Sequence, residues 1–160
     1  MSVVKIHTPK VKLASLLRTP GGRPVVEALA AADKGLGGLR DDCLAELRQT
    51  LERAEASVVS INGLFDAAQV SELYEFISAS IGGATTCGLE AIDTCLISLA
   101  DLLDTLKTLQ RWDANAVAVH LRAFRLLLHT EAACDAAGTE AILSGLRKVA
   151  AHYARNKATG

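Results

Sequence analysis

The chain has 160 residues, half of them hydrophobic but only 4% aromatic, and a formal net charge of -1. That length suits one domain with an aliphatic core. An acidic main body with few stacking side chains argues against nucleic acid, and no stretch is long and charge-free enough to cross a membrane.

Strong helix formers dominate, and Val and Ile never gather into alternating runs bounded by turn signals, so the fold class expected is all-α. The charge is uneven. Residues 1–26 hold Lys5, Lys10, Lys12, Arg18 and Arg23 without an acid, which leaves 12 basic and 18 acidic side chains for the rest. The division expected is a basic N-terminal arm, residues 1–22, carrying a short amphipathic helix from Val11 to Leu17, and a helical bundle domain, residues 23–160. The arm reads as a solvated terminus, or as a reach toward an acidic protein surface or a phosphate. Cys43, Cys87, Cys95 and Cys134 show no CxxC spacing and lie in or beside helical patterns, as small buried hydrophobes in a reducing compartment do. The N-terminus lacks an uninterrupted apolar leader, so the expected location is cytoplasmic.

After the turn Thr19-Pro20-Gly21-Gly22, Pro24 suits the first turn of a long helix over 25–58. Its stripe is Leu29, Ala32, Leu36, Leu39, Cys43, Leu47, Leu51, Ala54 and Val58. The spacing keeps its phase across Gly35, Gly37 and Gly38, which predicts a continuous helix weakened there by roughly 1 kcal/mol per glycine relative to alanine. Asn62-Gly63 marks a turn. Asp66 is placed to cap a helix bearing Val70, Leu73, Phe76, Ile77 and Ile81, expected to run on through small residues and stop near Cys87-Gly88. A helix over 90–109 follows, with Ile92, Cys95, Leu96, Leu99, Leu102, Leu103 and Leu106 on its stripe. Asp113 then caps a helix to about His129 with Val117, Leu121, Phe124 and Leu128 inward. The last helix, 138–154, shows Ile142, Leu146, Val149 and Tyr153. Short connections between long helices imply an antiparallel up-down bundle over residues 66–156, with the 25–58 helix packed against it. That helix has more stripe than one small bundle needs, which leaves a homodimer open.

The inventory for catalysis is short. His7 lies in the basic arm. His120 flanks an apolar stripe as a core-edge residue, His129 shares a basic face with Arg122 and Arg125, and His152 has no evident partner. No Glu-x-x-His or His-Glu-x-x-His occurs, and Asp41, Asp42, Glu46, Glu52 and Glu55 fall away from the stripes, so no metal or cofactor is expected. The cysteines have no sequence-adjacent histidine to activate them.

One stretch stands apart: Phe76 to Ile92, FISASIGGATTCGLEAI. It resembles the active helix of histidine-phosphotransfer domains, which carries His, then Lys three residues on, Gly next, and a second Gly before the following helix. Aligned on Gly82 and Gly88, the likeness spans Val70 to Trp112 and puts Ser78 where that family has its histidine and Ile81 where it has its lysine. Serine has no imidazole nitrogen to form a labile phosphoramidate. The resemblance therefore implies a docking shape for a response-regulator receiver domain without the phosphate-carrying group. The whole chain is also similar to the alphaproteobacterial chemotaxis accessory proteins of the CheE family, in Leu17 to Ala32 (LRTPGGRPVVEALAAA), Leu39 to Leu47 (LRDDCLAEL) and Arg111 to Leu128 (RWDANAVAVHLRAFRLLL).

Together these imply a non-catalytic two-component or chemotaxis adaptor. The contact residues expected are Ser78, Ile81 and Gly82, with Lys107 and Arg111 facing an acidic phosphorylation pocket. Two other readings stand beside it: a phosphorelay enzyme using His120 or His129, and a structural dimer joined through the 25–58 helix.

Overall fold

Leucine and alanine at three- and four-residue intervals do fold this chain into helices. The computed structural model describes residues 24–61, 64–130 and 136–157. Its helices are α1 (Val25–Ser60), α2 (Ala67–Ala79), α3 (Glu90–Thr108), α4 (Ala114–Thr130) and α5 (Ala136–Lys157), with a 3-10 turn at Thr85–Cys87. The fold is all-α, and the described residues contain no strand. The basic arm with its Val11–Leu17 segment, the Thr19–Gly22 turn, His7, the Asn62-Gly63 turn and Cys134 lie outside the described residues.

The chain divides into two compact units between Gly37 and Gly38, inside α1. In the first unit, the described residues from 24 to 37 are exposed, Val25, Val26, Leu29 and Leu36 included. An ideal Cβ at Gly35, Gly37 or Gly38 meets nothing within 4 Å, so these glycines do not serve a close backbone approach, and the helix passes through them unbroken.

In the second unit, α1 buries Leu44, Leu47, Leu51 and Ala54. Of the apolar stripe expected from Leu29 onward, Leu29, Leu36 and Leu39 are exposed, Cys43 and Val58 are half-buried against the core, and Leu47, Leu51 and Ala54 are buried. Periodicity shows which face is apolar, and it does not say what covers that face. The unit centres on α3, which packs against α2, α4, α5 and the 3-10 turn. Ile92, Cys95, Leu96, Leu99, Leu102, Leu103 and Leu106 are all buried there, as the stripe predicts. Around them lie Val70, Leu73 and Ile77 of α2, Val117, Leu121, Phe124 and Leu128 of α4, and Leu146 of α5.

Both expected caps form. Asp66 Oδ1 accepts the amides of Ala68 and Gln69 at 2.9 and 3.1 Å, and Asp113 Oδ1 accepts those of Asn115 and Ala116 at 3.1 Å. At the end of α3 the Arg111 amide reaches back to the Leu106 carbonyl and Gln110 adopts φ +48°, a Schellman closure with a non-glycine residue in the left-handed position.

α2 ends earlier than the sequence pattern predicts. It stops at Ala79, where the Ser80 amide turns back to the Ile77 carbonyl and the Ser80 hydroxyl to that of Phe76. Ile81 and Gly82 belong to the following turn. The apolar spacing reaches Ile81, but Gly82 at φ +96° takes the backbone out of the helical region.

Candidate functional site

The segment between α2 and α3 is built around one acid. Asp93, in the first turn of α3 and only 5% exposed, accepts the Gly82 amide through Oδ1 at 2.9 Å. Its Oδ2 accepts both the amide and the hydroxyl of Thr85, at 2.7 and 2.5 Å. The Leu89 amide returns to the Ala84 carbonyl while Gly88 takes φ +74°, which closes the 3-10 turn and launches α3. Both glycines of the phosphotransfer-like pattern thus occupy left-handed backbone, and neither has an atom within 4 Å of an added Cβ. Their role here is conformational. α1 braces the same turn: Arg40 Nη1 donates to the Cys87 carbonyl at 3.0 Å and the Cys43 thiol to that of Gly83 at 3.6 Å.

α2 presents two flanks. On one, the Lys107 ammonium from α3 sits 4.9 Å from the centre of the Tyr74 ring, and Ser78, half-buried, follows Tyr74 by one turn. On the other, the Arg53 guanidinium of α1 lies 4.3 Å from the centre of the Phe76 ring. The five residues expected to form one contact face are accordingly spread out. Ser78 and Lys107 share a flank, and Ile81 and Gly82 lie at the turn beyond it. Gly82 is level with Asp93, about 21 Å from Lys107 along α3 at the helical rise per residue. Arg111 stands past the end of α3, exposed, with a loose 4.0 Å approach to Asp113.

Beside the Phe76 flank is a cleft of about 420 Å³ lined by Cys43, Glu46, Leu47, Thr50, Phe76, Ala79, Ser80 and Gly83. Its one mark in the sequence is a threonine, Thr50, on the otherwise apolar buried face of α1.

His120 is not at the core's edge, as its spacing suggested, but completely buried. Its Nδ1 is 3.0 Å from the Ala116 carbonyl oxygen, which only accepts, so Nδ1 carries the proton and Nε2 accepts from the Ser98 hydroxyl at 3.1 Å. Burial holds its pKa below the usual histidine value, opposed by the Ala116 hydrogen bond. His129 is exposed, on a face with Arg122 and Arg125, and Arg125 reaches both oxygens of Glu55 on α1 at 2.7 and 2.5 Å. His152 stands edge-on to Tyr153 with ring centres 5.4 Å apart. Tyr153 donates to Asp113 Oδ2 at 2.5 Å, which pulls the Asp113 carboxyl below its usual range, while burial and that carboxylate push the phenol up.

The described thiols are free: Cys95 is buried, Cys43 and Cys87 partly so. Burial pushes Cys95 up to about 12, and burial together with the neighbouring Cys87 thiol pushes Cys43 up to about 11. Both therefore stay protonated and weakly nucleophilic at neutral pH. Among the described residues no three histidine, cysteine or acidic side chains are grouped to hold a metal ion, and no helix is long and apolar enough to cross a membrane.

Comparisons with family models, with curated proteins and with solved structures find no match to this chain.

Proposed function

We propose that the chain is a non-catalytic adaptor of two-component or chemotaxis signalling that docks a response-regulator receiver domain in the cytoplasm. One observation carries the reading: Ser78, which the resemblance aligns with the phosphotransfer histidine, lies one turn beyond a ring that holds the Lys107 ammonium. A lysine fixed on Tyr74 offers positive charge to an acidic pocket at low entropic cost, and serine beside it carries no phosphoramidate. The burial of His120, with both ring nitrogens engaged, weighs against a phosphorelay through that residue.

The test is capture of purified receiver domains by the full chain. Ser78→Arg and Lys107→Glu are each expected to weaken capture at least about tenfold with helix content unchanged. Unaltered affinity in both variants sinks the docking flank. Acid-labile phosphate appearing on His129 after incubation with a phosphorylated receiver overturns the non-catalytic assignment.

A specific observation also favours self-association. In the first unit Val25, Leu29 and Leu36 are each at least 60% exposed, and with Ala32 they fall at intervals of four, three and four, the spacing of a two-helix coil seam. A monomer at all concentrations in sedimentation, unmoved by Leu36→Glu, rules this out.

A further inference from the structure

Cys43 and Cys87 belong to neither reading. They come from different elements, α1 and the 3-10 turn, yet meet at one place within the second unit. The Gly83 carbonyl accepts both the Cys43 thiol, at 3.6 Å, and the Thr86 hydroxyl, at 2.7 Å. That hydroxyl is in turn 3.8 Å from the Cys87 sulfur. Arg40, about one turn before Cys43 on the same side of α1, donates to the Cys87 carbonyl at 3.0 Å. The two thiols interact directly. Both are free and half-buried, within reach of a small reagent, whereas Cys95 is buried with its thiol turned to the His120 carbonyl.

A thiol is a weak donor and a weak acceptor, so the contact contributes little to the reduced fold. What the arrangement offers is the bond that the two sulfurs can form. We propose that Cys43 and Cys87 are a modification site: they close into a reversible disulfide by exchange with a low-molecular-weight disulfide such as oxidised glutathione. The nucleophile in such exchange is a thiolate, and burial with the neighbouring thiol keeps Cys43 protonated at neutral pH, so Cys87 opens the reaction. The Cys87 sulfur loses its proton, attacks one sulfur of the reagent and expels the first thiolate. Cys43, already alongside, loses its proton, attacks the Cys87 sulfur of the mixed disulfide and expels the second thiolate. The two protons end on the two released thiols, and one reagent disulfide is reduced for each protein disulfide formed. Under a reducing poise the pair rests as two thiols. The closed loop contains α2 whole, so the bond restricts the unfolded chain and fastens α1 to the turn bearing Ile81 and Gly82.

The test equilibrates the full chain in glutathione buffers of rising oxidised fraction and then blocks the remaining thiols. Digestion with trypsin and a glutamyl endopeptidase puts each of the four cysteines on its own peptide. Mass spectrometry is expected to find Cys43 linked to Cys87, in a yield that follows the glutathione ratio, ignores protein concentration and vanishes with dithiothreitol. Cys43→Ser is expected to trap Cys87 as its glutathione adduct, and Cys95→Ser to leave the linkage unchanged. The linked form should melt about 5–15 °C above the reduced one, a rise missing from Cys43→Ser in the same buffers. Four results each overturn the proposal. They are no Cys43–Cys87 peptide in excess oxidised glutathione with helix content intact, linkage only between separate chains, wild-type Cys87 halted at the glutathione adduct, and a linked form that melts no higher than the reduced one.

Discussion

The ring of His120 and the hydroxyl of Ser98 meet 3.1 Å apart in the interior between α4 and α3, with the imidazole neutral and its protonated nitrogen turned to its own helix. Ser98 thus donates to the neutral histidine. Burial lowers the histidine pKa from 6.5 in the folded chain. The unfolded chain therefore takes up a proton first as pH falls, and stability contributed by this group is complete above about pH 6.5 and is lost below it. Urea midpoints are expected to fall between about pH 7.5 and pH 5.5 for the wild type, and to stay nearly level for His120→Gln. A wild-type midpoint that ignores this window contradicts the buried neutral tautomer.

Asp93 gathers three donors from the turn that precedes its own helix. Asp93→Ala leaves them to solvent and is expected to cost about 2–4 kcal/mol, while Asp93→Asn, which keeps one acceptor, costs about 1–2 kcal/mol. Amide exchange at Gly82 and Thr85 should accelerate in both variants. Protection that survives Asp93→Ala means the turn is held by something else.

Gly88 and Gln110 occupy equivalent left-handed positions in two chain reversals, one with the residue that suits it and one without. Substitutions should therefore act in opposite directions. Gly88→Ala is expected to destabilise by about 1–2 kcal/mol, and Gln110→Gly to stabilise by up to about 1 kcal/mol. Denaturation curves for the pair decide this, and equal signs would refute the assignment.

Tyr153 ties the end of α5 to the cap of α4 through Asp113. Tyr153→Phe is expected to cost about 1–2 kcal/mol at neutral pH. The Asp113 carboxyl is held below its ordinary value of 3.8 in the fold, so its contribution is present above that pH and lost as the pH falls through the lower folded value. The gap between wild type and Tyr153→Phe should narrow under those acid conditions. A constant gap would mean that the phenol acts by packing alone.

Much of this architecture was readable from spacing. The α3 stripe from Ile92 to Leu106 names its buried residues, and Asp66 and Asp113 announce helix starts because few other residues satisfy first-turn amides. The end of α2 was not readable, since Ile81 continues the apolar phase and only backbone geometry at Gly82 breaks it. Asp93 has the sequence setting of an ordinary acid in a first turn. The clue available was its adjacency to the stripe residues Ile92 and Leu96 after a run of glycines and threonines. The candidate contact residues are placed differently: Ser78 and Lys107 share a flank because i to i+4 spacing carries Tyr74 alongside Ser78, whereas Arg111 lies past the end of α3, which falls within one residue of the expected 109, and beyond the left-handed Gln110. The cleft depends on how α1 meets α2, which no local pattern encodes.

The placement of α3 bears on synthesis. It begins at Glu90, after both α1 and α2, and it is the helix against which α2, α4 and α5 are laid. A nascent chain that has emerged only through α2 therefore presents Leu73 and Ile77 without the surface that buries them. Productive assembly has to wait until Leu106 has cleared the ribosome, so a stall in translation before that point leaves an adhesive fragment for chaperones to hold.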